Sequence, residues 1–327
     1  MEPFEYASPT SRKEVVGLLG TDWQEAQLLA GGVDIISLMK DYVEKPRRVV
    51  SLHQVADLRG IESSGRELRI GSMVTIREVM ENETIKRHYP ILAQFADYIR
   101  SEQLRNMGTA GGNLLQRPRC WYYRLGYGLL AEQDGKPLVP NGDNRYHAIL
   151  GNSGPAYFVS PSTMAPALIA MDARLRIEGQ HGAREISVEK LYTAPTQSEE
   201  REHTIKPNEI LTEIIVPRQT GSRSAYYEVK QRQCLDWPLT GAAVVLHMNG
   251  TTVRRARVVL SQVAPVPWPS PEAEQELEGK TVTEEVADAA GKAAVSRATP
   301  LSMNGYKVQL TRVAVKRAIL QASQGVA

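Results

Sequence analysis

Two stretches of this chain repeat one pattern: Leu28-Leu29-Ala30-Gly31-Gly32-Val33-Asp34-Ile35 and Thr109-Ala110-Gly111-Gly112-Asn113 each place Ala-Gly-Gly, and then a residue or two, before an apolar run. Paired glycines permit positive φ and let successive backbone N–H groups converge on one concavity. Such a nest binds phosphate oxygens without any basic side chain. Two nests facing each other can clamp a diphosphate from both sides. Taken singly, each is equally a tight turn that starts a helix.

The segments around the loops read as compact α/β structure. "SRKEVVGLLG" is a short helix stopped by Gly20, "AQLL" and "RRVVSLH" are strands, and "DIISLMKD" is a helix. The pattern restarts at "ELRIGSMVT", where Thr75 and Glu78 have capping-box spacing, and continues into the helix "PILAQFADYIR". Residues 125–147 lack periodicity and are rich in turn formers, so a long surface loop is expected there. "SPSTMAPALIAMDARLRIEG" gives a loop, a helix and a strand, and "EILTEIIVP" a further strand ending at Pro217. The polar stretch 218–224 marks the domain boundary. Beyond it come the strand "AYYEVKQR" and a hairpin turning at Asn249-Gly250, followed by three helices. The C-terminal third should therefore be a three-stranded antiparallel sheet packed on helices.

With 327 residues the chain can hold two or three cores. A net charge of +2 gives no global field toward nucleic acid or membrane, and the locally basic "TTVRRARVV" reads as a solvated strand face. No apolar run is long enough to span a bilayer, and "MEPFEYASPTSRKE" does not read as a signal peptide. Two cysteines, Cys120 and Cys234, make neither a disulfide framework nor a four-thiolate metal site. The expected location is the cytoplasm, or the periplasm where a partner's signal carries the folded chain out.

Nucleophile motifs such as G-x-S-x-G and H-E-x-x-H do not occur. "GYGLLA" at 126–131 has the glycine spacing of a dinucleotide fingerprint but not the strand before it and helix after it that the motif needs. His147 reads as a hydrogen-bonded structural histidine and Cys234 as an inert thiol. Lys230 and Arg232 read either as a solvated strand edge or as cations near a bound cofactor.

The segments "LLAGGVDIISLMKD", "TAGGNLLQRPRCWYYR", "HAILG…SPSTMAPALIAMDA", "EILTEIIVP", "VAPVPWPSPEAEQELEGK" and "PLSMNGYKV" resemble, in order and nearly end to end, the FAD-binding medium subunit of molybdenum hydroxylases. That is the xanthine dehydrogenase, carbon monoxide dehydrogenase and aldehyde oxidoreductase family. The "GGNLLQR-x-RC" continuation is most similar to the bacterial aldehyde oxidoreductase flavoprotein branch. The resemblance implies an α+β, two-lobed FAD-binding fold of the vanillyl-alcohol oxidase and p-cresol methylhydroxylase type over residues 1–219, with lobes of about 1–58 and 59–219. A flavoprotein C-terminal domain over 222–325 would follow.

It also implies roles. Leu28 through Ile35 would hold the FAD diphosphate from one lobe, and Thr109, Ala110, Gly111, Gly112 and Asn113 from the other. Leu211 would pack at the flavin end, and Lys230 would lie near the isoalloxazine. Relatives place an aspartate for the adenosine part where this chain has Thr163, so either the hydroxyl substitutes or the contact is lost. The FAD would be non-covalent, since neither loop holds a histidine or cysteine. Molybdopterin and two-iron two-sulfur clusters would sit in partners, a large and a small subunit, and this chain would pass their electrons to an external acceptor. One rival is a free-standing flavin oxidoreductase, which needs an acid or base beside the flavin. Another is an assembly or nucleic-acid-binding subunit that has lost FAD, which should show degraded glycine loops. Neighbouring reading frames for the two partners would separate the first reading from both.

In the aldehyde oxidoreductase branch the segment after "RC" carries several cysteines for a four-iron cluster. Here only Cys120 remains, either a remnant of that set or a thiol packed by Trp121, Tyr122 and Tyr123. Such clusters are held by four thiolates. Iron analysis and electron paramagnetic resonance of the reduced chain should therefore show no stoichiometric iron; a cluster signal that disappears in Cys120→Ser would contradict this.

Overall fold

The computed structural model describes residues 1–232 and 236–325. Cys234 lies outside the described residues. The chain begins with a three-stranded parallel sheet built from β1 (Glu5–Ala7), β2 (Ala26–Leu29) and β3 (Arg48–Ser51), with β3 in the middle. Helices α1 (Arg12–Leu18) and α2 (Ile35–Lys40) make the crossovers that parallel pairing requires. Ser11 caps α1 by accepting from the Glu14 N–H. Val15, Val16, Val50 and Leu52 form the core of this lobe.

The second lobe is a five-stranded antiparallel sheet ordered β4 (Ile61–Ser63), β5 (Glu67–Gly71), β10 (Glu209–Pro217), β8 (Arg174–Gly179) and β9 (Gly182–Ser187). Between β5 and β8 run the short helices α3 (Ile76–Glu81), α4 (Glu83–His88), α5 (Pro90–Tyr98), α6 (Glu102–Met107) and α7 (Ala110–Leu115). They are followed by α8 (Trp121–Arg124), a two-residue ladder of β6 (Glu132–Gln133) with β7 (Lys136–Pro137), and α9 (Met164–Ala170). The capping box is present: Thr75 accepts from the Glu78 N–H, and Glu78 reaches back to the Thr75 N–H. Every residue of α9 is buried, packed with α5 and α7 into the core of this lobe.

Beyond Pro217 come β11 (Ser222–Val229), β12 (Thr240–Asn249) and β13 (Thr252–Ser261), antiparallel neighbours joined at Gly250 with φ +60°. The expected three-stranded sheet gains a fourth member, β14 (Trp268–Pro269), which pairs with Val259 and Leu260. Two residues between prolines and a serine leave no alternation from which to read a strand. Helices α10 (Pro271–Leu277), α11 (Glu284–Ala294) and α12 (Tyr306–Gln324) cover one face.

The segment 125–147 is irregular and exposed at 125–128 and 133–137, as a surface loop would be, but it is anchored at several buried residues. Leu129, Leu130, Ala131 and Val139 are buried, and the first two pack with Leu38, Tyr123 and Phe158 into a small core of their own. The segment continues as a strap sewn onto the C-terminal domain. Asn144 donates to Ser302 and accepts from the Met303 N–H, and Ile149 and Leu150 both donate to the Val263 carbonyl. Lys307, only 1% exposed, donates to the carbonyls of Tyr146, His147 and Gln262. Loops carry polar backbone, and the buried polar groups near the end of this one are satisfied because the C-terminal domain supplies partners. Lys307→Met orphans those carbonyls and should cost roughly 2–4 kcal/mol. A lower midpoint in thermal unfolding is expected; an unchanged midpoint would show that the strap is not held there.

Candidate functional site

A cavity of about 330 Å³ opens between the two lobes and the start of the C-terminal domain. Its walls include Leu28 and Ala30 through Ile35 from the first loop, Thr109 and Gly111 through Asn113 from the second, and Thr163, Leu211 and Lys230. Leu29 and Ala110 stand back from it. Leu29 gives its carbonyl to the Leu52 N–H, and Ala110 is wholly buried in the core of the second lobe.

The loops meet closely. A Cβ at Gly31 would lie 1.6 Å from the Met107 carbonyl oxygen, at the end of the helix that leads into the second loop. Gly32 has φ +73°, a region that L side chains avoid. Among the described residues, the backbone N–H groups of Gly31, Gly32, Val33, Asp34 and Ile35 donate to no acceptor. These five residues are half-buried, and a run of unspent N–H groups on a cavity wall is a geometry that suits an anion.

The second loop is not a matching nest. Its N–H groups are spent: Ala110 on the Val74 carbonyl, Gly111 on that of Ser72, Gly112 on Thr109 Oγ1 and Asn113 on the Thr109 carbonyl. The expectation of two equal nests gives way to one nest and one rigid facing wall. That wall presents the Thr109 hydroxyl, and a Cβ at Gly111 would press on Ser72 at 2.9 Å. The Asn113 carboxamide oxygen accepts from Ser162 Oγ and the Met164 N–H, and its amide donates to Thr163 Oγ1 at 3.4 Å. It ties the second loop to the start of α9 and fixes the Thr163 hydroxyl at the wall.

Arginines surround the nest. Asp34 accepts from the Arg117 N–H at 2.7 Å and from Arg124 at 2.8 Å, and Arg119 lies 2.9 Å from the same carboxylate. Arg117 bridges Glu44 and Glu202, both at 2.5 Å, and Arg201 also reaches Glu44. Burial pushes Arg119 down to about 10, with Asp34 opposing and Arg124 adding to the fall. The segment "RPRCWYYR" is thus structural, and Arg117 and Arg119 line the cavity as well.

Four buried polar atoms on cavity-lining residues lack a hydrogen-bond partner: Ser72 Oγ, Arg119 Nε, His203 Nε2 and Glu228 Oε1. Sequence reading missed all four, together with Trp23, Arg201 and Trp237. They sit on separate elements with no shared spacing. The one available signal was Ser72, next after the strand that feeds the capping box. Unspent donors, an N–H row and glycines without room for a side chain fit a large, flat, doubly phosphorylated cofactor such as FAD.

Cys120 stands apart from the cavity wall. Its Sγ lies 3.2 Å from His147 Nε2, and Trp121 and Tyr122 pack on the imidazole. Burial raises the thiol pKa. Among the described residues no group of three or more His, Cys, Asp or Glu side chains is placed to hold a metal, and no helix is long and apolar enough to cross a membrane.

His147 and His203 are both buried neutral. Burial, aided by Lys307, lowers His147 to about 4. Burial, opposed by Glu202, lowers His203 to about 4. Both ordinarily titrate near 6.5, so between 6.5 and 4 the unfolded chain binds more protons and stability falls as pH falls. Urea unfolding at pH 7 and 4.5 should show this loss, and His203→Gln should remove part of it; an equal loss in the variant would contradict the assignment.

Comparison with known proteins agrees with this architecture. Residues 2–219 match the family model described as FAD binding domain in molybdopterin dehydrogenase, and 225–322 match the CO dehydrogenase flavoprotein C-terminal domain. The carbon monoxide dehydrogenase medium chain of Hydrogenophaga pseudoflava is 28% identical over 320 residues, covering 97% of this chain and 96% of that one. The aldehyde oxidoreductase FAD-binding subunit PaoB of Escherichia coli is 27% identical over 301 residues, 91% of each. A solved carbon monoxide dehydrogenase structure from Hydrogenophaga pseudoflava, lacking the Mo-pyranopterin moiety, superposes with a TM-score of 0.77 at 29% identity over 100% of both chains. These near-equal identities point to the family as a whole. The chain belongs to the family of FAD-binding medium subunits of molybdenum hydroxylases.

Proposed function

We propose that this chain holds FAD non-covalently and serves as the electron-transfer flavoprotein of a heteromeric molybdenum hydroxylase. The observation that carries the reading is the run of unspent N–H groups at Gly31–Ile35, on the same cavity as the Thr109 hydroxyl and the unpaired Arg119 Nε. The N–H row would take the diphosphate oxygens. Thr109 and the Gly111–Gly112 backbone would close on it from the second lobe. Thr163 would offer its hydroxyl to the adenosine part, and Leu211 and Lys230 would flank the flavin ring.

When bound, FAD supplies the chemistry of accepting electrons one at a time and passing them on. This chain's own part is to bind, to orient and to set the charge around the ring. The proposed partners are a molybdopterin-binding large subunit, where the organic substrate is oxidised, and a small subunit with two-iron two-sulfur clusters. The functional units would be lobes of about 1–58 and 59–219 and a C-terminal domain at 222–325, in line with the limits of the two family matches. The proposed location is the cytoplasm, or the periplasm if exported with a partner. An intact N–H row supports this reading over a chain that has lost FAD.

Gly32→Val and Gly112→Val test the loops separately. At Gly32 a side chain meets both the positive φ and Ile36 Cδ1 at 2.7 Å; at Gly112 it presses on Thr109 Oγ1 at 3.0 Å. Both variants should keep their far-ultraviolet circular dichroism and lose the 450-nanometre (about 450 nm) flavin absorbance. Full flavin occupancy in both would show that these glycines are turn residues only.

A further inference from the structure

The cavity wall contributed by β11 holds a carboxylate that cofactor binding does not use. Glu228 has 1% side-chain exposure and lines the cavity beside Lys230. Its Oε2 accepts from the Tyr226 hydroxyl at 3.0 Å. Its Oε1 forms an ion pair with Lys230 Nζ at 2.7 Å and has no other partner. Lys230 also donates to the Tyr98 carbonyl at 2.6 Å. A buried carboxylate with one oxygen fixed by a hydroxyl and the other held only by a neighbouring ammonium has a proton donor in place for that oxygen.

We propose that Glu228, paired with Lys230, is the proton-exchanging group of this cavity: it takes up a proton when electrons enter the bound flavin and releases it when they leave. The proposal rests on the reading that the flavin ring lies at the Leu211–Lys230 end. Two electrons pass from a reduced donor outside this chain, which is oxidised, to the cofactor, which is reduced and takes its own proton. Negative charge then sits beside Glu228, and a like charge favours the neutral acid. A Lys230 N–H bond breaks, an O–H bond forms at Oε1, and Lys230 regains a proton from water. An external acceptor that removes the electrons reverses each step.

The groups acting on Glu228 fit this role. Burial raises its pKa, while Lys230, the Tyr226 hydroxyl and Arg100 oppose the rise. Tyr98, at the end of α5, packs edge-on against Tyr226 at 5.6 Å. Across the sheet, Glu228 pairs with Gly241, which carries no charge.

The test is the pH dependence of the flavin midpoint potential in the full chain loaded with FAD, reduced by dithionite. Wild type should take up one more proton per electron pair than Glu228→Gln over a limited pH range. The same proton count in a flavin-loaded Glu228→Gln overturns the proposal. If wild type takes up no FAD, it is the cofactor reading that fails. Should Glu228→Gln not fold, Tyr226→Phe decides. Loss of its hydroxyl removes a bond that favours the carboxylate, so the extra uptake should move to higher pH; an unmoved range overturns the proposal.

Discussion

The Asp34 carboxylate is the point on which the two halves of the site depend. It sits inside the first glycine loop, yet its partners, Arg117, Arg119 and Arg124, all come from the segment that leaves the second. The loops are brought together by one half-buried carboxylate and three arginines rather than by contact between their apolar runs. Arg117 extends the tie through Glu44 to the first lobe and through Glu202 to the second. Such a network is a weak source of net stability, because each ion gives up its hydration. Its value is positional. Removing one partner would leave a buried charge unmatched, at about 3–5 kcal/mol, so the geometry is held to one arrangement.

That arrangement explains the asymmetry of the site. The first loop can leave its N–H groups unspent because Asp34 and the close contact of Gly31 with Met107 hold it in place. The second spends its N–H groups on Val74, Ser72 and Thr109, and so becomes a stiff wall. The segment after it then runs as a strap to the C-terminal domain, anchored by Asn144, Ile149 and Lys307. Cys120 and His147 sit inside this strap as part of its packing. The same strap connects the C-terminal sheet, with Glu228 on its first strand and Lys230 just after it, to the lobes that build the nest.

Much of this was legible in the sequence wherever the signal is local. The Thr75–Glu78 capping box, the Asn249–Gly250 hairpin and the helices of the C-terminal third depend on neighbours a few residues apart, and each is present. The glycine loops were legible because backbone geometry restricts residue choice directly. Legibility ended where distant residues decide. Nothing near residue 111 reveals that its N–H is taken by Ser72, so the two loops looked equivalent. Nothing near Leu129 or Leu130 reveals that Leu38 and Phe158, far away in the chain, will bury them. The partners of Arg117 and Arg119 were not legible because their acids lie at 34, 44 and 202.

The central claim is that an anion cradle, and not apolar packing of the ring alone, decides what the cavity holds. Calorimetric titration of the flavin-free chain with FAD, riboflavin and ADP tests it most directly. The account predicts one FAD per chain, competition by ADP for that site, and riboflavin binding weaker by orders of magnitude. Riboflavin binding as tightly as FAD, or ADP failing to compete, would contradict it.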